Sequence, residues 1–184
     1  MKDLLELNSS RLHLRKMQIS DFPDLVKYAG NKKISDQIIN IPYPYTDEDA
    51  IERMHIVNQG LKTRQRYIFA ITLQGQDNLI GEIGLHIERA NNAAQIGYWV
   101  AEPWWGQGIA TEALALILRF GFQELKLHKI YATHYPENPS SAKVMIKNNM
   151  IKEAELKDHY LIDGVYRSIV QYRLTDEEWI KVKS

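Results

Sequence analysis

One corner of the sequence limits what this chain can become. The run "AQIGYWVA", Ala94–Ala101, is aromatic and β-rich. The stretch "EPWWGQGIATEA", Glu102–Ala113, follows it and leads into "IATEALALILRFGFQELKL", where Ile109, Ala113, Ile117 and Phe120 recur at helical spacing. A strand therefore turns through Gly106 and Gly108 into a long helix. A turn alone needs one glycine; a ligand pressed against the main chain accounts for two. The first turn of a helix presents unpaired N–H groups at the positive end of its dipole, so strand, glycine turn and helix together make an anion site.

The rest of the chain frames that corner. "RLHLRKM", Arg11–Met17, alternates and predicts a strand. "SDFPDLVKYAG" predicts a helix with Ser20 as N-cap, Pro23 early and Gly30 as the stop. "IPYPYT" is too rich in proline for either regular element. A helix capped by Thr46 follows, with Asp47, Glu48 and Asp49 in its first turn. Tyr67–Leu73, Leu79–Glu88 and Ala94–Ala101 are β-rich and separated by polar turns, a meander of hairpins. "KIYATHY", Lys129–Tyr135, is a strand reached through a helix crossover, so it should run parallel to Ala94–Ala101. Asn138 then caps a helix with Pro139 at its first position, and Asn148–Asn149 suit a left-handed stop. A hairpin turns near Asp163–Gly164, and Thr175 with Glu178 forms a capping box for a terminal helix. This order gives an α+β fold, a mixed and mostly antiparallel central sheet with flanking helices.

A chain of 184 residues with 45% hydrophobic and 25% charged residues is most simply one domain, 1–184. The net charge is zero, so nothing global draws it to nucleic acid or an anionic membrane. It has no cysteine, which removes disulfides, thiolate metal sites and cysteine nucleophiles and fits a reducing compartment. The N-terminus "MKDLLELNSS" lacks the apolar core of a signal peptide, and no apolar run is long enough to span a bilayer. The expected location is the cytoplasm. Glu52 and His55 lie three apart on a helix, as metal ligands can, but without further partners they read as a solvated face, and no metal is expected.

Three nucleotide-type readings compete for the glycine corner. A P-loop needs Lys then Ser or Thr after its last glycine, and here Ile109 follows Gly108. A Rossmann fingerprint needs a third glycine, where this chain has Thr111, and the strands before it form a meander. The third reading is the pyrophosphate loop of a coenzyme A-dependent acyltransferase. "IGYWVAEPWWGQGIATEAL" resembles the acetyl-CoA loop of the GNAT superfamily of N-acetyltransferases. "ENPSSAKVMIKNNM" and "LIDGVYRSIVQYRLTDEEW" resemble the Asn-x-x-Ser helix and the C-terminal hairpin and helix of its Rim-type ribosomal-protein branch.

That resemblance implies a sheet whose central strands splay around acetyl-CoA. It implies that Trp99 and Val100 offer backbone groups to the pantetheine arm. It implies that Gly106, Gln107, Gly108, Ile109, Ala110 and Thr111 hold the pyrophosphate, that Asn138 contacts the cofactor further along, and that Ser141 lies near the thioester sulfur. Two departures stand out. Trp105 occupies a place where Arg or Gln is often found, and Asn148, Asn149 and Met150 replace the usual Leu-Gly-Phe. The tyrosine that many members use as general acid has no match in "SSAKVMIKNN".

Acetyl transfer needs a neutral amine, donors for an oxyanion and stabilisation of the leaving thiolate. Glu82, a carboxylate in the apolar strand "IGEIGL", is the leading candidate for the base; the other reading has it facing solvent. His134 is the second candidate. Ser141 could protonate or hydrogen-bond the thiolate, or serve as a first-turn capping serine. Asn138 is also explained as an N-cap, and capping leaves cofactor contact open. Trp104 and Trp105 read as packing for the loop, and Tyr43 and Tyr45 as lining the acceptor entrance. The expected partners are acetyl-CoA and a primary amine, a protein N-terminus or a small molecule such as a polyamine, amino acid or antibiotic. A non-catalytic acyl-CoA-binding module is the alternative. Oligomeric state stays open, a homodimer among the choices.

Overall fold

A computed structural model describes residues 5–183. Its strands are β1 (Leu7–Asn8), β2 (Leu12–Lys16), β3 (Arg66–Leu73), β4 (Gly81–Glu88), β5 (Ala93–Val100), β6 (Lys129–His134), β7 (Ile151–Ile162) and β8 (Val165–Thr175). Its helices are α1 (Phe22–Ala29), α2 (Lys32–Ser35), α3 (Asp47–Lys62), α4 (Ile109–Arg119), α5 (Pro139–Lys147) and α6 (Asp176–Lys183). The described strands make one eight-stranded sheet in the order β1-β2-β3-β4-β5-β6-β8-β7. Neighbours are antiparallel except β5 and β6, which run parallel. The expected meander is β3-β4-β5, and the parallel pair follows from the crossover through α4.

Period-two alternation sorts the apolar residues onto two faces. Phe69 and Ile71 of β3, Ile83 and Leu85 of β4 and Ile96 of β5 join Ala113, Leu114 and Ile117 of α4 in the larger core. Ile68, Ala70 and Trp99 point the other way, to a second core with Leu25, Ala29 and Val57 of α1 and α3. The fold is thus helix, sheet, helix.

Local signals explain most element ends. Asp49 N–H donates to Thr46 Oγ1 at 3.3 Å while Thr46 N–H donates to the Asp49 carboxylate at 2.7 Å. Thr175 and Glu178 do the same at the start of α6. Asn149 has φ 61° and ends α5 as expected, and Asp163 and Gly164, at φ 50° and 76°, make the hairpin turn between β7 and β8. The start of α1 differs from expectation. Ser20 makes no cap; its hydroxyl donates to Gln18 Oε1 at 3.3 Å. Asp21 organises the corner instead, because its buried carboxylate takes two N–H groups of Arg15, at 2.9 and 2.6 Å, and the Gln18 N–H at 2.7 Å. Gly30 ends the helix with φ −67°, in ordinary helical space, since Asn31 starts α2 directly by accepting from Lys33 N–H at 3.0 Å.

The feature that matters for function is a seam. The β5–β6 ladder holds from Ala93↔Lys129 to Ile96↔Ala132 and then stops. β5 stays paired with β4 to Val100↔Gly81, and β6 stays paired with β8 to His134↔Val170. Each strand keeps its outer neighbour while the two part from one another.

Candidate active site

The gap opens into a cleft of about 1360 Å³ lined by both strand ends, the glycine corner, the start of α5 and side chains from α1 to α3. Ala101 N–H donates to Ile80 O at 2.8 Å, toward β4. Main-chain groups alternate along a strand, so the N–H groups of Tyr98 and Val100 point the other way, into the gap. The Val100 carbonyl is closed off by Trp105, whose indole N–H donates to it at 2.5 Å. Beyond it, Gly106 and Gly108 take φ values of 75° and 78°, a left-handed conformation that costs a side-chain-bearing residue free energy. A Cβ on Gly106 would meet nothing within 4 Å, so the glycine serves backbone conformation and open approach. Gly108 is the N-cap of α4 and offers no side chain, which leaves the first-turn N–H groups of Ile109, Ala110 and Thr111 for a ligand. This open, N–H-rich corner beside a bare strand edge fits a phosphate with an amide-bearing arm behind it.

The corner is braced from outside. The Arg11 guanidinium donates to the Gln107 carbonyl at 3.1 Å and to the Glu112 carboxylate at 2.7 Å, and Ser9 Oγ donates to Glu112 at 2.5 Å. The Gln107 side chain donates to Pro103 O at 2.9 Å. Trp104 packs edge-on against Tyr28 at 5.4 Å and touches both cores. The two tryptophans divide the work: one anchors the corner to α1, the other ties it to the end of β5.

Across the gap, Asn138 Oδ1 accepts the Ser141 N–H at 3.2 Å and caps α5. Ser141 is therefore not the cap. Its hydroxyl lies 2.8 Å from the Tyr98 hydroxyl, which is also 3.3 Å from the Ser141 carbonyl. Burial pushes the Tyr98 phenol up to about 12, against a smaller opposing effect of the Ser141 hydrogen bond. Tyr98 went unread in the sequence, because the expected tyrosine would sit on α5. The α5 segment does supply Asn148, whose amide donates to Thr111 O at 3.0 Å and joins the two helices at the site.

The opposite side of the sheet carries the other half of the cleft. Glu82 is buried, with 3% of its surface exposed, so the solvent-facing reading is overturned. Its carboxylate accepts from Arg53 of α3 at 2.8 and 3.2 Å and from the Trp99 indole at 3.2 Å. The candidate base is therefore already paired inside the fold, with Arg53 on one side and the Trp99 indole on the other. Trp99 turns its ring to Glu82 and the second core and leaves its backbone in β5. His86, four residues along β4, shares the Glu82 face; burial, with Arg66 and Arg53 nearby, lowers its pKa to about 4, so it is neutral at neutral pH. Gly84 and Gly97 pair between these side chains; a Cβ on Gly97 would meet only His86 Nε2, at 3.7 Å, whereas one on Gly84 would run into Ile68 and the Tyr67 carbonyl. Tyr45 is buried and lines this half; Tyr43 is exposed and lies outside the lining. His134 donates its Nδ1–H to Tyr135 O at 2.7 Å, and its Nε2 is buried without a partner among the described residues. Glu52 and His55 are both exposed on α3, and among the described residues no three His, Asp or Glu side chains gather as metal ligands do.

Comparison with known proteins agrees with this geometry. The pattern of the acetyltransferase (GNAT) domain matches residues 11–151. An uncharacterized N-acetyltransferase, p20, of Bacillus licheniformis is 31% identical over 175 residues, 94% of this chain and 97% of its own length. The [ribosomal protein uS5]-alanine N-acetyltransferase of Escherichia coli is 27% identical over 129 residues, 69% of this chain and 66% of its own. Among solved structures, RimJ of Mycobacterium smegmatis in complex with CoA-disulfide superposes with a TM-score of 0.83 at 25% identity, over 95% of this chain and 88% of that one. Spermidine N-acetyltransferase of Vibrio cholerae, in complex with CoA and spermine, shares the fold with a TM-score of 0.79 at 23% identity, over 94% and 99%. A meander, one splayed parallel seam and a glycine corner opening a helix separate this sheet from a Rossmann fold, and with the domain match over most of its length they make the chain a member of the GNAT family of acetyltransferases.

Proposed function

We propose that this chain transfers an acetyl group from acetyl-CoA to a primary amine, and that the reaction takes place in the β5–β6 gap. The observation that carries this reading is the gap itself. It sets free strand N–H groups, the first turn of α4 and the Ser141 hydroxyl around one opening. Acetyl-CoA, when bound, supplies a thioester carbonyl and a thiolate leaving group. Gly106, Gln107, Gly108, Ile109, Ala110 and Thr111 hold its pyrophosphate through main-chain N–H groups. Tyr98 and Val100 lie along its amide-bearing arm, whereas the Trp99 backbone, expected to join them, faces β4 as Ala101 does, and Asn138 borders the far end. The Val100 N–H stabilises the oxyanion that develops on the carbonyl. Ser141 donates its hydroxyl hydrogen to the leaving sulfur.

The amine enters from the side of Tyr45, Glu82 and His86. Glu82, paired with Arg53, acts on the proton of the incoming ammonium through water, and His86 offers a neutral nitrogen to the same path. Because Arg53 already neutralises Glu82, no isolated buried carboxylate is left there to select a polycation. That favours a single amine, such as the N-terminus of a protein in the cytoplasm, over a polyamine. The relative that acetylates a ribosomal protein supports the protein reading, and the spermidine enzyme that shares the fold supports the small-amine one. Isothermal titration with acetyl-CoA tests the first step; no binding at high micromolar concentration refutes it. Release of free CoA thiol, followed over peptides with free N-termini and over polyamines and amino acids, separates the two acceptor classes. Binding without release on any of them leaves a non-catalytic acyl-CoA module.

A further inference from the structure

Resting on that reading of Ser141, we propose that Tyr98 is a positioning residue that turns the Ser141 hydroxyl hydrogen toward the thioester sulfur. The two hydroxyls lie 2.8 Å apart at the mouth of the gap. Among the described residues the Ser141 hydroxyl has Tyr98 as its hydrogen-bond partner, while its backbone N–H is taken up by the Asn138 cap. A serine hydroxyl has one hydrogen and two lone pairs. If Tyr98 donates to Ser141 Oγ, the serine hydrogen is left to point into the cleft. If Tyr98 donates instead to the Ser141 carbonyl, 3.3 Å away, the serine hydrogen turns back to the phenol and the sulfur receives nothing.

Distance favours the first arrangement, 2.8 Å against 3.3 Å, within the ordinary range of an O–H···O bond. The phenol also keeps its proton throughout the working range, because burial holds its pKa near 12. It is a permanent donor and is not consumed. As the C–S bond breaks, the electron pair goes to sulfur, and the Ser141 O–H hydrogen bond stabilises the thiolate. The sulfur then takes up the proton that the acetylated nitrogen releases, passed through solvent, with Tyr98 and Ser141 both unchanged.

The test uses the full chain, product CoA and three variants: Tyr98→Phe, Ser141→Ala and the double substitution. The pH dependence of CoA binding by calorimetry reports the thiol pKa in the complex. The expected result is that Tyr98→Phe and Ser141→Ala each raise it, and that the double variant raises it no further than Ser141→Ala. Turnover with acetyl-CoA should follow the same pattern: kcat falls roughly tenfold in Tyr98→Phe, KM for acetyl-CoA stays within twofold, and the double variant matches Ser141→Ala. A thiol pKa in Tyr98→Phe that is unchanged or lowered overturns the inference, as do effects that multiply in the double variant. If the parent binds CoA but acetylates no acceptor, the proposed function fails while the thiol titration still decides the role of Tyr98. If Tyr98→Phe is poorly folded, Tyr98→Trp and Tyr98→Leu give the same titration without the hydroxyl.

Discussion

At the scale of single residues, two kinds of position carry the site, and they should fail differently. Gly106 and Gly108 are there for their backbone. Alanine at either must hold a positive φ, which costs about 1–2 kcal/mol of stability, and at Gly106 it adds a methyl to the open corner. Gly106→Ala should therefore lower urea stability by about that amount and weaken CoA binding by more than tenfold, read by calorimetry on the still-folded protein. Under the proposed function Ser141 acts through its hydroxyl. Ser141→Ala should leave stability and KM for acetyl-CoA nearly unchanged while kcat falls by roughly 10²-fold, measured by thiol release. The glycines and Asn138 were legible in the sequence because backbone demands restrict residue type. Tyr98 was not legible. A tyrosine in a β-rich aromatic run looks like any other core residue, and only the third dimension puts its hydroxyl on Ser141.

At the scale of elements, the contact between α3 and β4 is where electrostatics decide. Glu82 is buried and Arg53 partly so, and removing Arg53 leaves the Glu82 carboxylate in the interior without its cation. Arg53→Ala should destabilise the protein by about 3–5 kcal/mol in urea unfolding, with Arg53→Ala/Glu82→Leu partly recovering it. Sequence marked Glu82 as unusual in its strand but could not find its partner, 29 residues away on another element. His86 sits on the same strand with its folded pKa lowered to about 4, from an ordinary 6.5. The unfolded chain takes up that proton as pH falls through 6.5, and the folded chain does so only near 4. Stability should therefore drop between pH 6.5 and 4, by on the order of 1–3 kcal/mol, and level off below. His86→Gln should flatten that part of the pH–stability profile, measured by thermal denaturation in matched buffers. Element ends were read well where a side chain makes the cap, as at Thr46, Asn138 and Thr175. They were misread at α1, where the Arg15–Asp21 pair, a contact between two elements, overrides the local cap at Ser20.

At the scale of the whole molecule, the order of strands and the single parallel pair followed from hydrophobic period and crossover length. The short β1 and α2 carry too few residues for any period to register. Ligand binding should be felt globally. Acetyl-CoA at a hundred times its dissociation constant should add about 2.7 kcal/mol to stability and raise Tm by several degrees. Hydrogen exchange should slow most at Tyr98, Val100 and the first turn of α4, with little change in β2 and β3. The seam between β5 and β6 has a mechanical meaning too. Four residue pairs, Ala93↔Lys129 to Ile96↔Ala132, form the parallel ladder joining a five-stranded half to a three-stranded half, helped by hydrogen bonds at its closed end, such as Tyr131 to Glu88, and by helices packed across it. A sheet so built is a hinge line, and whatever lies in its open end acts as the missing rungs. Pulled apart by the chain ends, the molecule should tear along that line first, and a bound coenzyme should raise the force at which it does.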